Sequence, residues 1–407
     1  MKICYLFTTF PLLSETPYQR DLRALARQPV ELEIWSLWGG GGSFAGMTVR
    51  RFLKWRAVAL PWFFLYWLWR KPRVLLGFFA RFARQGLRQP LNAGETVLGA
   101  AFALCYARSF LREAEPPDLF YGAWATLPAS AAQLLAELTD RPFAMGAHAY
   151  DVFRNGGDWD LERKLAKATL VVTSSASTER ALLARGASPE RTILIRRGLE
   201  TLPRLKSPRR ERIPLRILAV GRLIEKKGYA EQLEVYARLK AMAVPFEAHI
   251  VGEGPLRPSL EKRRDELGLN GEVTLIGAMS HELVLDQYEW ADVLLFTGKV
   301  ARSGDRDGLP NVVPEAMAYG VPVVATCVAG VPEAVEDGRS GILVRGDCVT
   351  SCANAVKQLQ IDNGLYERLI AGARAWVEAN YDAGVNSRRL LYHFEAAAAA
   401  AKERKVL

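Results

Sequence analysis

The amino-acid sequence predicts an α/β chain built as two parallel-sheet domains that face a cleft. Three observations predict it. At 407 residues the chain exceeds one hydrophobic core and suits two or three domains, and half of it is hydrophobic, enough to fill them. Short β-rich apolar runs alternate with longer amphipathic segments along both halves, the pattern of parallel strands joined by helical crossovers. The stretch "PRLKSPRRERIP", Pro203 to Pro214, then interrupts the alternation with proline and cations and has no apolar period. These boundaries divide the chain into a first domain at 1–203, a linker at 204–214 and a second domain at 215–385, followed by a C-terminal helix at 386–407.

In the first half, "KICYLFTTF" reads as a strand and "PYQRDLRALARQ" as a helix with Pro17 in its first turn. "VELEIWSLW" is the next strand, and the glycines of "GGGGS" after it read as a flexible loop, since the spacing of a dinucleotide fingerprint is not met. Basic, aromatic helices are expected over roughly 50–113. "DLFYGAW" and "PFAMGAH" are short strands flanking the helical "ATLPASAAQLLAELT", and "ATLVVTSS", "ASTERALLARG" and "TILIRRGLE" complete this half. In the second half the strands are "LRILAVG", "FEAHIVG", "EVTLIG", "DVLLFTG", "VPVVAT" and "GILVRGD", with helices between them and helices alone after the last.

The composition narrows the function. Five scattered cysteines read as reduced thiols, and Cys348 and Cys352 lack the partners of a zinc site. "MKICYLF" does not resemble a signal peptide. The most apolar run, Ala57 to Trp69, has 13 residues, whereas a spanning helix needs about 20. Net charge is +10, and it is concentrated: Arg50 to Arg112 carries twelve Lys/Arg against the single acid Glu95, together with four of the ten tryptophans. That mixture suits an anionic membrane surface. No nucleic-acid motif accompanies it, so nucleic acid is not an expected partner.

Two stretches carry chemistry. In "AVGRLIEKKG" a strand ends at Gly221, and Arg222 and Lys227 follow before a helix, a place where a diphosphate would bind. In "DGLPNVVPEAMAYGVPVVAT" two carboxylates, Asp307 and Glu315, stand eight residues apart with no base, nucleophile or metal ligand between them. Asn311 is placed to cap a helix whose first turn is Val312, Val313 and Pro314 and which Gly320 ends. The amides of Gly308, Leu309 and Asn311 can then face an anion, while the two acids accept hydrogen bonds from sugar and ribose hydroxyls. His249, His281 and His393 are read as structural.

These motifs resemble a known family. "GRLIEKKG", "VGEGPLRPSLE", "IGAMSHELVLDQYEWADVLL" and the stretch from Asp307 to Val344 look like the second domain of family 4 glycosyltransferases, with order and spacing matching over about 130 residues. "FPLLSETPYQRDLRAL" and "GAHAYDVF" resemble the branch that builds exopolysaccharide, colanic acid and lipopolysaccharide. The resemblance implies the GT-B fold, two Rossmann-like domains with C-terminal helices packing back toward the first. It also implies a retaining transferase that uses a nucleotide-diphosphate sugar, UDP- or GDP-linked, with no metal or other cofactor. Arg222 and Lys227 match the phosphate-binding pair, Glu315 the ribose-binding acid, and His148 a histidine that approaches the donor sugar. Gly221 and Glu253 fall in donor-binding stretches, and Ser14, Glu15 and Thr16 are candidate acceptor or phosphate contacts. Asp307 stands where the family usually has Glu, and Pro310 removes one amide donor.

The expectation is a glycosyltransferase on the cytoplasmic face of the inner membrane, held there through 50–113 and serving a lipid-linked or lipopolysaccharide acceptor. Two alternatives share the fold: a nucleotide-sugar 2-epimerase and a non-catalytic sugar-nucleotide-binding protein.

Overall fold

The computed structural model describes residues 1–12, 15–85, 90–209 and 211–406. It divides into two compact units, Met1–Ile195 with Gly384–Leu407, and Arg196–Ala383. Each is built on one sheet.

The first unit has strands β1 (Lys2–Phe10), β2 (Glu31–Gly40), β3 (Gly42–Phe44), β4 (Met47–Arg51), β5 (Leu119–Gly122), β6 (Phe143–Gly146), β7 (Leu170–Thr173) and β8 (Thr192–Leu194). They form an eight-stranded sheet in the order β3-β4-β2-β1-β5-β6-β7-β8, in which only β3 runs antiparallel to its neighbour. The glycine run is therefore not the expected flexible loop: Gly39 and Gly40 end β2, and Gly42 opens β3, the first strand of a hairpin with β4. Gly40, Gly41 and Gly42 all have positive φ. A Cβ on Gly40 would stand 2.2 Å from the Phe10 carbonyl, so only glycine lets β2 end this close to β1. The sheet order reverses at β1, whose neighbours are β2 and β5, and loops at such a reversal open a ligand crevice at the carboxyl ends of the strands.

Helices cover both faces. α1 (Thr16–Leu25) buries Tyr18, Leu22 and Leu25 on one side. The basic segment folds as α2 (Leu60–Arg70), α3 (Pro72–Gln85) and α4 (Pro90–Arg112) over the other side. Trp67 anchors α2: it is fully buried and its indole N–H donates to Leu104 O at 3.1 Å. α4 lies so close to α5 (Leu127–Thr139) that a Cβ on Gly99 would come within 2.9 Å of Leu127 O. The shorter helices are α6 (Tyr150–Phe153), α7 (Leu161–Lys167) and α8 (Ala176–Leu183).

The second unit has strands β9 (Leu215–Val220), β10 (Phe246–Val251), β11 (Val273–Gly277), β12 (Val293–Phe296), β13 (Val323–Thr326) and β14 (Ile342–Val344), all parallel, in the order β11-β10-β9-β12-β13-β14. Its helices are α9 (Tyr229–Ala241), α10 (Arg257–Glu266), α11 (His281–Trp290), α12 (Val312–Ala318), α13 (Cys348–Ile361) and α14 (Asn363–Asn380). Here the order reverses between β9 and β12.

One expectation about the chain's course needs correction. The segment 204–214 is not a free linker; it is docked on the second unit by its cations. The Lys206 ammonium donates to Tyr288 O at 3.1 Å, at the end of α11, and the buried Arg212 guanidinium donates to Leu359 O at 3.1 Å, at the end of α13. Arg209 pairs with Asp292 at 2.8 Å. Helix carboxyl ends present unpaired carbonyls and partial negative charge, so a cationic segment with no apolar period still finds a place. The unit boundary falls at Ile195 instead. At the other end, α15 (Ala383–Val406) alone packs on the first unit, with Phe394 buried against Tyr121 at 5.0 Å; α13 and α14 stay with the second.

Candidate active site

In the second unit the loops after β9 and β12 meet at the reversal of strand order. Gly228, in the left-handed region at φ +68°, closes the turn after Lys227; a Cβ there would lie 1.8 Å from Thr297 O. The Thr297 hydroxyl donates to Gly228 O at 2.8 Å, and the Lys299 N–H to Lys226 O at 2.9 Å. This seam brings two lysines to two aspartates. Lys227 Nζ stands 2.7 Å from Asp307 Oδ2. Lys226, only 4% exposed, has its Nζ 3.1 Å from Asp305 Oδ1 and 3.3 Å from Asp307 Oδ1. Burial alone would raise the Asp307 pKa, but Lys227 and Lys226 outweigh it and hold the carboxyl below its ordinary value.

Around this cluster the sequence-predicted donor residues fall as follows. Gly221 ends β9 beside Lys227, and its carbonyl accepts from Tyr229 OH at 3.0 Å. Arg222 is exposed and makes no ion pair among the described residues. The loop of Glu253 abuts the same place, its carbonyl accepting from Leu223 N–H at 2.9 Å, but its exposed carboxylate turns to Arg257 at 3.1 Å. The backbone N–H groups of Gly308, Leu309 and Asn311 donate to no acceptor among the described residues. Gly308 O is held by Gly330 N–H at 2.9 Å.

Asn311 does not cap α12 with its side chain. Its backbone is already helical at φ −60°, and its Oδ1 accepts from Tyr381 OH at 2.7 Å. Pro314 does sit in the first turn, and Gly320, at φ +73°, ends the helix: its N–H donates to Met317 O at 3.2 Å and Val321 N–H donates to Ala316 O at 2.9 Å. Glu315 is 5% exposed, and one of its oxygens accepts from Tyr288 OH at 3.0 Å.

The first unit repeats the logic at its own reversal. The loop after β1 carries Glu15, whose carboxylate accepts from the Trp124 indole N–H at 3.2 Å, and Trp124 lies in the loop after β5. Thr16 is the first residue of α1; Ser14 lies outside the described residues. His148 follows β6, buried, its ring edge-on to Trp124 at 5.4 Å and to Tyr18 at 5.9 Å. The fully buried Asp151 pins this corner: its carboxylate accepts N–H bonds from Ala149 at 2.8 Å, Ala125 at 3.1 Å and His148 at 3.2 Å. Burial lifts the Asp151 pKa, against the pull of those amides. The roomy hollow of about 480 Å³ in this unit lies at the opposite end of the strands, under Phe143, Leu170 and α15, away from His148.

Sequence reasoning missed Lys226, Tyr288, Tyr381, Trp124 and Asp151. Two carried a local signal. Lys226 adjoins Lys227 in a short turn, a second cation beside the one already singled out. Asp151 stands three residues after His148, where an Asp folds back onto backbone amides. His249 is structural as expected, stacked on Trp290 at 3.8 Å with Nδ1 2.8 Å from Gln287. No group of three or more His, Cys, Asp or Glu placed to hold a metal occurs among the described residues.

Known proteins share the sequence pattern of the second unit and the two-sheet architecture. The pattern of the family described as "Glycosyl transferases group 1" matches residues 206–376. The putative colanic acid biosynthesis glycosyltransferase WcaL of Salmonella typhimurium is 33% identical over 211 residues, 51% of this chain and 52% of that protein. The amylovoran biosynthesis glycosyltransferase AmsK of Erwinia amylovora is 33% identical over 233 residues, 57% of each. The chain thus spans about half the length of the curated relatives it matches. Among solved structures, Anabaena Alr3699/HepE in complex with UDP superposes with a TM-score of 0.69 at 17% identity, over 97% of this chain and 100% of that one. The apo lipopolysaccharide outer core galactosyltransferase WaaB gives 0.67 at 14% identity, over 97% and 99%. The two-sheet α/β architecture is that of these GT-B structures, and residues 206–376 are a glycosyl transferases group 1 domain.

Proposed function

We propose that this chain is a retaining glycosyltransferase that moves a sugar from a nucleotide-diphosphate donor to a lipid-linked or lipopolysaccharide acceptor, without a metal. The observation that carries the reading is the Lys226–Lys227–Asp305–Asp307 cluster at the strand reversal of a glycosyl transferases group 1 domain. The relatives are named for colanic acid and amylovoran synthesis, and solved neighbours hold UDP and UDP-glucose.

In this reading the diphosphate lies on Lys227, Arg222 and the unpartnered amides of Gly308, Leu309 and Asn311. The bond from the sugar's anomeric carbon to the leaving phosphate oxygen breaks, and the acceptor hydroxyl oxygen bonds to that carbon on the same face. The hydroxyl proton passes to the departing phosphate oxygen, so no separate base is needed. Charge grows on the diphosphate as the bond lengthens, and the cations stabilise that state more than the ground state. Asp307 holds Lys227 in place and offers its open edge to a sugar hydroxyl; Glu315 accepts from the ribose. His148 keeps the role the resemblance gives it, toward the donor sugar, and Glu15 serves the acceptor side. The segment 50–113 rests on the anionic inner membrane, from whose cytoplasmic face the acceptor is drawn.

The test is a panel of radiolabelled UDP-, GDP- and ADP-sugars incubated with the purified protein, with and without membrane-extracted lipid acceptor. Label moving into the lipid fraction with the anomeric configuration kept supports the reading. Interconversion of the donor sugar alone would make the chain an epimerase, and neither transfer nor donor hydrolysis would make it a binding protein.

A further inference from the structure

The basic segment does more than add charge. Trp55, Trp62 and Trp69 recur every seven residues, and all three are open to solvent, at 70%, 76% and 77% exposure. Trp62 and Trp69 stand two turns apart on α2, with the exposed Leu65 between them on the same face. The opposite face of α2 holds the buried Trp67. Three large indoles left in water are not explained by the fold, which already has its anchor in Trp67.

We propose that Trp55, Trp62 and Trp69 are the edge by which the chain lies in the interface of an anionic lipid bilayer. This rests on the reading above that 50–113 meets a membrane, and it names the contact. The charge around the edge selects the occupant. Arg51, Lys54, Arg70 and Arg73 are exposed beside it, and no Asp or Glu occurs from Arg50 through Gly94. A partner helix packed on a seven-residue repeat prefers Leu, Ile or Val at the contact and mixed charges beside it, not repeated Trp and one sign of charge. Indoles favour the headgroup boundary, where the ring is buried and the N–H stays wet. The 11 residues of α2 span about 16 Å, half of a bilayer core, and no described helix is long and apolar enough to cross one, so α2 lies along the surface.

The experiment uses the full chain and two vesicle types, phosphatidylcholine alone and phosphatidylcholine with about one-third phosphatidylglycerol. Flotation and quenching of tryptophan fluorescence by brominated lipid are measured for the wild type and for the triple variant Trp55→Ser, Trp62→Ser, Trp69→Ser. The wild type should float with the anionic vesicles and be quenched. The triple variant should partition at least about tenfold more weakly while keeping its melting temperature and its donor hydrolysis, because the three side chains are exposed. A triple variant that floats like wild type overturns this proposal and leaves the membrane reading standing. Wild type that ignores both vesicles overturns both. Wild type that is a dimer, broken to monomer by the triple variant and indifferent to lipid, assigns the edge to a second copy and also overturns it. Donor hydrolysis, read separately, tests the transferase reading independently.

Discussion

Lys227→Met separates a cation that shapes the site from a cation that works in it. The ammonium lies 2.7 Å from Asp307, and both side chains are largely buried. A charge-assisted hydrogen bond of this kind contributes about 1.5–3 kcal/mol. Lys226 remains 3.3 Å from the other Asp307 oxygen, so the carboxylate is not left unpaired, and the loss falls near about 2 kcal/mol. For a unit the size of Arg196–Ala383 that lowers its melting transition by about 4–8 °C. Transfer should fall further than this, by about 10²–10³-fold, because one preorganised donor to the developing diphosphate charge is gone. The double variant Lys227→Met with Asp307→Asn removes both partners and should regain most of the lost stability. The assay pairs thermal denaturation with single-turnover transfer from a radiolabelled donor, at a temperature where every variant is folded. If the double variant recovered transfer along with stability, Lys227 would serve only to neutralise Asp307, and neither charge would act on the donor. Wild-type turnover by Lys227→Met alone would refute the placement of the phosphate.

Asp307 gives a pH prediction. Its folded pKa is depressed, so its contribution to stability is fully present above the unfolded value of about 3.9 and is lost as pH falls through the folded value. The gap in melting temperature between wild type and Asp307→Asn should therefore be constant near neutrality and narrow steadily as pH falls below about 4; a gap that does not narrow there would contradict the ion-pair account. Glu315→Gln keeps an oxygen for Tyr288 OH, so the melt should shift by less than about 1 kcal/mol while donor KM rises about tenfold; an unchanged KM argues against ribose binding. Asp151→Ala leaves the amides of Ala125, His148 and Ala149 without their acceptor and should cost the first unit about 3–5 kcal/mol, with Asp151→Asn recovering part of it; calorimetry showing an undisturbed first unit would remove Asp151 from its pinning role.

Much of the site was legible because it depends on backbone punctuation. Gly221 and Gly320 occupy positive-φ positions that few other residues tolerate, and a proline at 314 fits a helix only in its first turn, so their spacing locates a turn and α12 directly from sequence. Side-chain partners were less legible, because they are set by contacts between distant segments. Nothing local to "DGLPN" says that Asp307 meets two lysines 80 and 81 residues earlier, or that Tyr381 takes the Asn311 oxygen and leaves the helix uncapped. The docked 204–214 segment was misread for a related reason. An apolar period is the usual sign of packing, and this segment packs through Lys206 and Arg212 on helix carbonyls instead. The ordered passage from β2 into β3 at Gly40–Gly42 was hidden because glycine runs signal flexibility unless a neighbour, here the Phe10 carbonyl, is close enough to require them.

The cluster also explains why a shorter acid is tolerable at 307. Its position is set less by its own reach than by two ammonium groups, one nearly sealed from solvent, that pull its two oxygens in different directions. A carboxylate fixed at both ends presents a constant edge, and it holds Lys227 without the entropy a free lysine would lose on meeting a diphosphate. Lys226 does not need to touch the donor for this: with Asp305 it forms one half of a four-charge array whose other half, Lys227 with Asp307, lies at the strand reversal. Replacing Lys226 should consequently alter the orientation of Lys227 and Asp307 together, so its effect on transfer should not add to theirs. Additive losses in a cycle of Lys226→Met and Asp307→Asn would show that the four charges act independently and that this array is not one preorganised unit.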